Sequence, residues 1–325
     1  MSLPSPGLRR GSRLFVTGGT GFVGRSLLKF LDQSASGLEN IRTTVLTRDP
    51  ERFTARYPDL ARRIEMLRGD VRDFVWPKTK FTHIIHAAAD TGTGAANRPQ
   101  ELVGTIIDGT ARVLDFAAAC GAEKMLFLSS GAVYGPQPDA LERIPEDYAG
   151  APDPADPASA YGSAKRAAEQ LCVSAARGRL AVKVARLFAF VGEDLPLDAR
   201  FAIGNFIRDA LAGGPIRVQG DGSPVRSYLY QSDLAQWLLE ILERGHPGRA
   251  YNVGSDQPIS IAALARLVAD VVSPAAAIRI SAQRADYPGR LRYVPSIERA
   301  RSELGLVPRV PLAEAIRLTA AQRRR

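Results

Sequence analysis

The feature that most constrains this chain is Thr17-Gly18-Gly19-Thr20-Gly21-Phe22-Val23-Gly24, set between an apolar strand pattern at 13–16 and a helical pattern at 24–32. Glycines at 18, 21 and 24 follow a G-x-x-G-x-x-G spacing. A strand that turns this tightly into a helix brings backbone N–H groups to the positive end of the helix dipole, where a pyrophosphate is bound. A Cβ would block that approach, and the third glycine lets helix and strand pack closely. A rival pattern overlaps the turn. Gly19, Gly24, Arg25 and Ser26 nearly spell a triphosphate-binding loop, but Arg25 stands where lysine is required, which argues against that chemistry.

The same alternation continues through the first half. Strand patterns at 43–47, 64–68, 83–87, 124–129 and 181–187 are interleaved with long helical patterns at 101–120 and 161–177. This rhythm predicts an α/β fold: a doubly wound parallel (Rossmann) sheet with helices on both faces. After about residue 186 the character changes. Helical patterns at 201–212, 234–244 and 261–272 alternate with Gly- and Pro-rich turns. The expected division is a dinucleotide-binding domain over 1–186 and a smaller mixed α/β lobe over 187–325 that holds the substrate. A strand near 250–254 is expected to return to the main sheet. Residues 138–157 read as a long surface loop.

Composition narrows the setting. The net charge of +9 favours anionic partners, yet the basic residues are scattered and the one compact run is Arg323, Arg324 and Arg325 at the chain end. No aromatic-basic nucleic-acid motif accompanies them, so no nucleic-acid partner is expected. Cys120 and Cys172 lie in apolar helical patterns with no second ligand at metal spacing, so no metal is expected. His83 and His86 would point to opposite faces of one strand and could not chelate one ion. Residues 1–10 contain no apolar export segment and no stretch is apolar enough to span a bilayer; a cytoplasmic protein is expected.

The end of the second strand reports on the cofactor. An acid there would bind a ribose 2′-hydroxyl and select NAD. Thr47 occupies that position and Arg48 follows, a guanidinium able to meet a 2′-phosphate, so NADP is favoured over NAD. The alternative is that Arg48 starts a basic surface loop and Asp49 caps a helix. Further on, Tyr161 and Lys165 stand four apart on one helix face. A nearby ammonium lowers a phenol's pKa, so Tyr161 could exchange a proton with a substrate hydroxyl while a hydride moves. Ser130 supplies a hydroxyl at a strand end, where ligands of such sheets bind. Each motif alone is common; their conjunction in this order is specific.

These residues together resemble the extended short-chain dehydrogenase/reductases, in the sugar-nucleotide epimerase and dehydratase (NAD-dependent epimerase/dehydratase) group. The resemblance runs from about residue 13 to 311. It also takes in Gly69-Asp70-Val71, His86-Ala87-Ala88-Ala89, Val133-Tyr134-Gly135, Arg226-Ser227-Tyr228-Leu229-Tyr230 and Tyr251-Asn252-Val253-Gly254. It implies that the turn 18–24, including Thr20, Phe22 and Val23, holds the dinucleotide, with Asp70 and Val71 at the adenine, and Ala87 and Ala88 approaching from the fourth strand. It implies Ser130, Tyr161 and Lys165 as the catalytic residues, Lys165 also holding the nicotinamide ribose. Arg226 would reach the substrate diphosphate or nucleotide. A homodimer through helices 101–120 and 161–177 is implied as well.

The departures from the family pattern shape the function. Dehydratases of the group carry an Asp-Glu pair where this chain has Gly131 and Ala132, which argues against 4,6-dehydration. Two frequent asparagines are replaced by Ala189 and Ile106. The expected activity is NAD(P)-dependent oxidoreduction of a sugar nucleotide at C4, as 4-ketoreductase or 4-epimerase. The alternatives are a 4,6-dehydratase and a non-catalytic dinucleotide- or nucleic-acid-binding relative. Of the remaining residues, Glu169 reads as an i,i+4 partner of Lys165, Asp233 as the cap of a helix starting at Leu234, Arg290 and Arg292 as candidate substrate contacts, and Trp76 and Trp237 as packing residues.

Overall fold

Arg13–Thr17 forms the first strand because its alternate side chains are apolar on both faces, as a strand covered on two sides requires. The computed structural model describes residues 8, 11–33, 41–89, 98–198, 201–281 and 291–323. Elements run in the order β1 (Arg13–Thr17), α1 (Phe22–Gln33), β2 (Arg42–Thr47), α2 (Pro50–Arg56), α3 (Pro58–Ala61), β3 (Glu65–Arg68), β4 (His83–His86), α4 (Pro99–Cys120), β5 (Lys124–Ser130), α5 (Ala160–Ala175) and β6 (Ala181–Leu187). There follow β7 (Phe190–Val191), α6 (Ala202–Leu211), β8 (Ile216–Val218), β9 (Val225–Arg226), β10 (Leu229–Tyr230), α7 (Gln231–Arg244) and β11 (Ala250–Val253). The chain continues through β12 (Ile259–Ser260), α8 (Ile261–Val272), β13 (Ile278–Ile280), β14 (Arg292–Tyr293), α9 (Glu298–Leu304) and α10 (Leu312–Arg323).

Seven strands make one parallel sheet in the order β11-β6-β5-β4-β1-β2-β3. The doubly wound reading holds, and Ala250–Val253 does return to the sheet, pairing with Val184–Leu187. Strand order reverses between β1 and β4, so the carboxyl ends of these strands open a crevice there. The period of two sorts the core. Leu14 and Val16 pack with Leu27, Leu234, Trp237 and Leu238 on the face of α1 and α7. Phe15 points to the other face, against Phe74, Phe81 and Phe116 beneath α4, with ring centroids 4.9–5.7 Å apart. Trp76 packs at the edge of this group, 4.6 Å from the Arg112 guanidinium. A separate apolar cluster, with Ile203, Ile207, Leu264, Val268 and Ile316, joins α6, α8 and α10.

Two expectations change. The stretch 138–157 is not merely a surface loop. Ile144 is fully buried, and its backbone exchanges hydrogen bonds with Val294 and Ser296. Asp233 does not cap a helix. The helix starts at Gln231, and the buried Asp233 carboxylate accepts the N–H groups of Arg309 and Val310, tying α7 to the segment before α10. A short-range rule saw a cap; a partner 76 residues away won.

Candidate active site

The cleft begins where β1 and β4 part. Thr17 straps the two strand ends together: its carbonyl accepts the Ala87 N–H at 3.1 Å and its hydroxyl oxygen accepts the Ala88 N–H at 3.1 Å. The Thr17 hydroxyl then donates to His86 Nδ1 at 2.7 Å, which leaves the proton on Nε2, 3.0 Å from Thr110 Oγ1. Thr110 in turn donates to the Ile106 carbonyl at 2.6 Å. Burial, reinforced by the Lys165 charge, drives the His86 pKa down to about 3, so the ring is neutral. His83 faces the other way, its Nε2 2.8 Å from Glu243 of α7.

Gly18 has a φ of +71°, and a Cβ on it would meet the backbone of Ala87 at 2.6 Å. This glycine is required by the protein itself. Gly21 is not: the nearest atom to a Cβ there is the Gly18 carbonyl oxygen at 3.4 Å. It lines the cleft beside the first turn of α1, leaving a backbone cradle open to a ligand. Arg25, the residue of the rival loop, is not aimed at that cradle. It donates to the Thr20 carbonyl at 2.6 Å and to the Asp194 carbonyl at 2.9 Å, bracing the turn against the segment after β7.

The cleft is large, about 2040 Å³, and gathers nearly every residue singled out from the sequence. Gly18, Thr20, Gly21, Phe22, Val23, Gly24, Arg48, Asp70, Val71, Ala87 and Ala88 line one arm, and Ser130, Tyr161, Lys165 and Arg226 line the remainder. Arg290 lies outside the described residues. Arg292 is not on the wall; its chain neighbours Leu291 and Tyr293 are. Near the end of β2, Arg48 is joined by Arg52 and Arg56 on the cleft wall. Asp49 does cap α2, accepting the Arg52 N–H at 2.9 Å, so the helix cap and the cationic wall coexist. Asp70 is held by a bidentate Arg72, which lowers its pKa.

At the other strand end, Ser130 closes β5. Its Oγ accepts the Ala132 N–H at 3.1 Å, starting the 3-10 turn Gly131–Tyr134. Its side chain also bears on the Tyr161 phenol, favouring loss of the phenol proton. Lys165 departs from expectation. Its ammonium is buried, donates to the Leu128 carbonyl at 2.7 Å and sits 4.7 Å from the Phe127 ring. The phenol is not lowered by that ammonium: burial pushes Tyr161 up to about 12, against the lowering effect of Ser130. Burial likewise pulls Lys165 down to about 8.

Sequence reasoning missed one neighbour and misassigned the partners of another. Tyr293 stacks on Phe188 at 4.6 Å, its hydroxyl 3.3 Å from the Leu187 carbonyl, and it raises the Tyr161 pKa further. A Cβ on Gly131 would meet the Tyr293 hydroxyl at 2.6 Å. Only the presence of glycine at 131 hinted at a close contact. Glu169 is the second: its carboxylate turns from Lys165 to Ser129 and Arg186. Among the described residues no group of three or more His, Cys, Asp or Glu side chains could hold a metal, and no helix is long and apolar enough to cross a membrane.

Comparison with known proteins agrees with this architecture. The chain is 32% identical to UDP-glucuronic acid decarboxylase 1 of Arabidopsis thaliana over 316 residues, 95% of this chain and 69% of that protein. Among solved structures it resembles UDP-glucose 4-epimerase of Thermotoga maritima in fold, with a TM-score of 0.79, 23% identity, and coverage of 96% and 98% of the two chains. It also resembles RMD of Pseudomonas aeruginosa, a structure complexed with NADPH, with a TM-score of 0.77, 26% identity, and coverage of 96% and 98%. Matched to the family's pattern from residue 14 to residue 254, well over half its length, the chain belongs to the NAD dependent epimerase/dehydratase family.

Proposed function

We propose that the protein is an NAD(P)-dependent oxidoreductase acting at C4 of a sugar nucleotide, as a 4-ketoreductase or a 4-epimerase. The observation that carries this reading is the convergence of Ser130, Tyr161 and Lys165 on the wall of the same cleft that holds the glycine turn. The open cradle at Gly21 and the first turn of α1 fit a pyrophosphate, and a dinucleotide held there supplies or accepts the hydride. The remaining work falls to side chains. Tyr161 gives a proton to a developing alkoxide, or takes one from a sugar hydroxyl. With its pKa pushed up to about 12, the phenol keeps its proton at neutral pH, the form with which a ketone reduction starts. Ser130 orients that phenol, and the buried Lys165 ammonium provides positive charge nearby. Arg226, whose backbone lies in register with Tyr293 of β14, is the candidate contact for the substrate's diphosphate.

The three arginines beside the end of β2, with Thr47 where an acid would select NAD, support NADP. A homodimer through α4 and α5 belongs to the same proposal. A second reading draws on the relatives. An enzyme that removes the C6 carboxylate of a glucuronic acid nucleotide would begin with the same oxidation at C4, because a C4 ketone stands β to that carboxylate. Sequence likeness to UDP-glucuronic acid decarboxylases favours it. The 4,6-dehydratase reading is disfavoured by Gly131, where Tyr293 and Phe188 leave no room for an acidic side chain. The Ser130–Tyr161 pair disfavours a purely binding protein.

The test is direct. Purified protein is denatured and any released nicotinamide identified, then fresh protein is assayed with UDP-glucose, UDP-glucuronic acid and 4-keto sugar nucleotides. NADPH consumption with a 4-keto sugar supports the reductase. Retained NAD with interconversion of epimers supports the epimerase, and carbon dioxide release supports the decarboxylase. No turnover with any of them, with either dinucleotide, overturns the proposal.

A further inference from the structure

Behind the catalytic wall lies a buried polar cluster that the chemistry above does not use. Glu169 sits one helical turn after Lys165 on the buried face of α5. Its Oε1 accepts the Ser129 hydroxyl at 2.5 Å, and Arg186 of β6 grips both oxygens at 2.7–3.2 Å. Arg186 also donates to the Tyr134 hydroxyl at 2.8 Å and the Glu146 carbonyl at 2.9 Å. Tyr134 donates to Asn252 of β11 at 2.8 Å. One carboxylate thus joins α5, β5 and β6, and through Arg186 the turn after Ser130. Ser129 precedes Ser130, and Glu169 lies eight residues after Tyr161 on the same helix.

We propose that Glu169, clamped by Arg186, is a positioning residue: it locks α5 to the end of β5 through Ser129, and it holds a negative charge one helical turn from Lys165. This rests on the reading of Ser130, Tyr161 and Lys165 as the reacting group. The charges facing the cluster are few. Arg186 pairs with Glu169 from β6, Lys165 and the neutral Cys172 thiol flank it on α5, and Tyr134 and Glu146 close it from the turn and the loop. Lys165 faces the neutral His86 from β4. Burial favours loss of the Lys165 proton, and the Glu169 charge opposes that loss.

The test compares E169Q, E169D and S129A with the wild-type protein. NADPH affinity is followed by fluorescence from pH 6 to 10, and turnover is measured where a substrate is found. In E169Q the alkaline loss of NADPH affinity moves to lower pH by about one unit, because a neighbouring charge is gone. E169D, which keeps the charge, restores the wild-type pH profile. S129A keeps that profile too and lowers kcat about 5-fold with little change in KM, since only a positioning hydrogen bond is lost. Superimposable pH profiles for E169Q and wild type overturn the electrostatic role, and wild-type kcat in S129A overturns the positioning role. If E169Q does not fold, S129A and E169D still decide: a pH profile displaced in E169D, or unchanged kcat in S129A, sinks the proposal. If no sugar nucleotide turns over, the functional reading fails while the NADPH profile still tests this one.

Discussion

At the scale of single residues, the site works through environments that burial imposes. Tyr161→Phe removes the one proton-carrying atom and leaves the ring that packs, so turnover should fall at least about 100-fold while dinucleotide affinity stays within about 2-fold. Turnover near wild type would remove Tyr161 from the mechanism. Arg48→Ala should weaken NADPH binding about 10-fold or more and NADH binding little, since of the two dinucleotides only NADPH carries a 2′-phosphate for that guanidinium to meet. Equal losses for the two in a titration would cancel the argument for NADP. His86 ties acid stability to the cleft. Its folded pKa of about 3 lies below the unfolded value near 6.5, so between these values the unfolded chain binds a proton that the fold refuses. Stability from this group is therefore present above pH 6.5 and lost as pH falls, at about 1.4 kcal/mol per pH unit. His86→Asn should flatten the fall measured by urea midpoints between pH 7 and 4.5; an unchanged slope would contradict it. Ser130, Tyr161 and Lys165 were legible because spacing along one strand end and one helix brings them together. Tyr293 and Glu169 were not, because their partners are 106 and 17 or more residues away in sequence.

At the scale of elements, the turn between β1 and α1 separates two reasons for being glycine. Gly18 is held at positive φ against the Ala87 backbone, so Gly18→Ala should destabilise the fold by about 1–3 kcal/mol and abolish dinucleotide binding with it. Gly21 meets no such neighbour. Gly21→Ala should melt within about 2 °C of wild type and still bind dinucleotide at least about 10-fold more weakly, because the added methyl enters the cradle. Thermal melts and NADPH titrations of the two variants check both claims, and equal destabilisation would show that the cradle is protein packing. Helix boundaries shifted by a residue or two from the sequence pattern, as at α4, where Pro99 occupies the first turn and Gly121 ends the helix at φ +73°. Those signals lay outside the apolar period that located the helix.

At the scale of the whole molecule, the two halves share one sheet. α7 covers a face of it with Leu234, Trp237, Leu238 and Ile241, all essentially buried, and β11 pairs with the edge of β6. A chain ending at Leu187 would keep six strands but expose that face and that edge. It should show no cooperative thermal transition by circular dichroism; a sharp melt near that of the full chain would show that the first 187 residues stand alone. The Arg25 contacts with Asp194 add a second tie between the lobes, at the glycine turn itself.

What the sequence determined by itself was local and periodic: the strand–turn–helix at 13–33, the parallel sheet, and the helix that carries Tyr161 and Lys165. These follow from backbone sterics and from which faces must be buried, and the pattern of each element is carried by residues close in sequence. Tertiary structure alone decided where the polar atoms of that framework point. The Lys165 ammonium goes to a strand carbonyl, the Glu169 carboxylate to Ser129 and Arg186, the Asp233 carboxylate to two amides near α10, and Tyr293 over Gly131. A buried charge or hydroxyl must find a partner within hydrogen-bond reach, and the fold, not the spacing along the chain, brings that partner there.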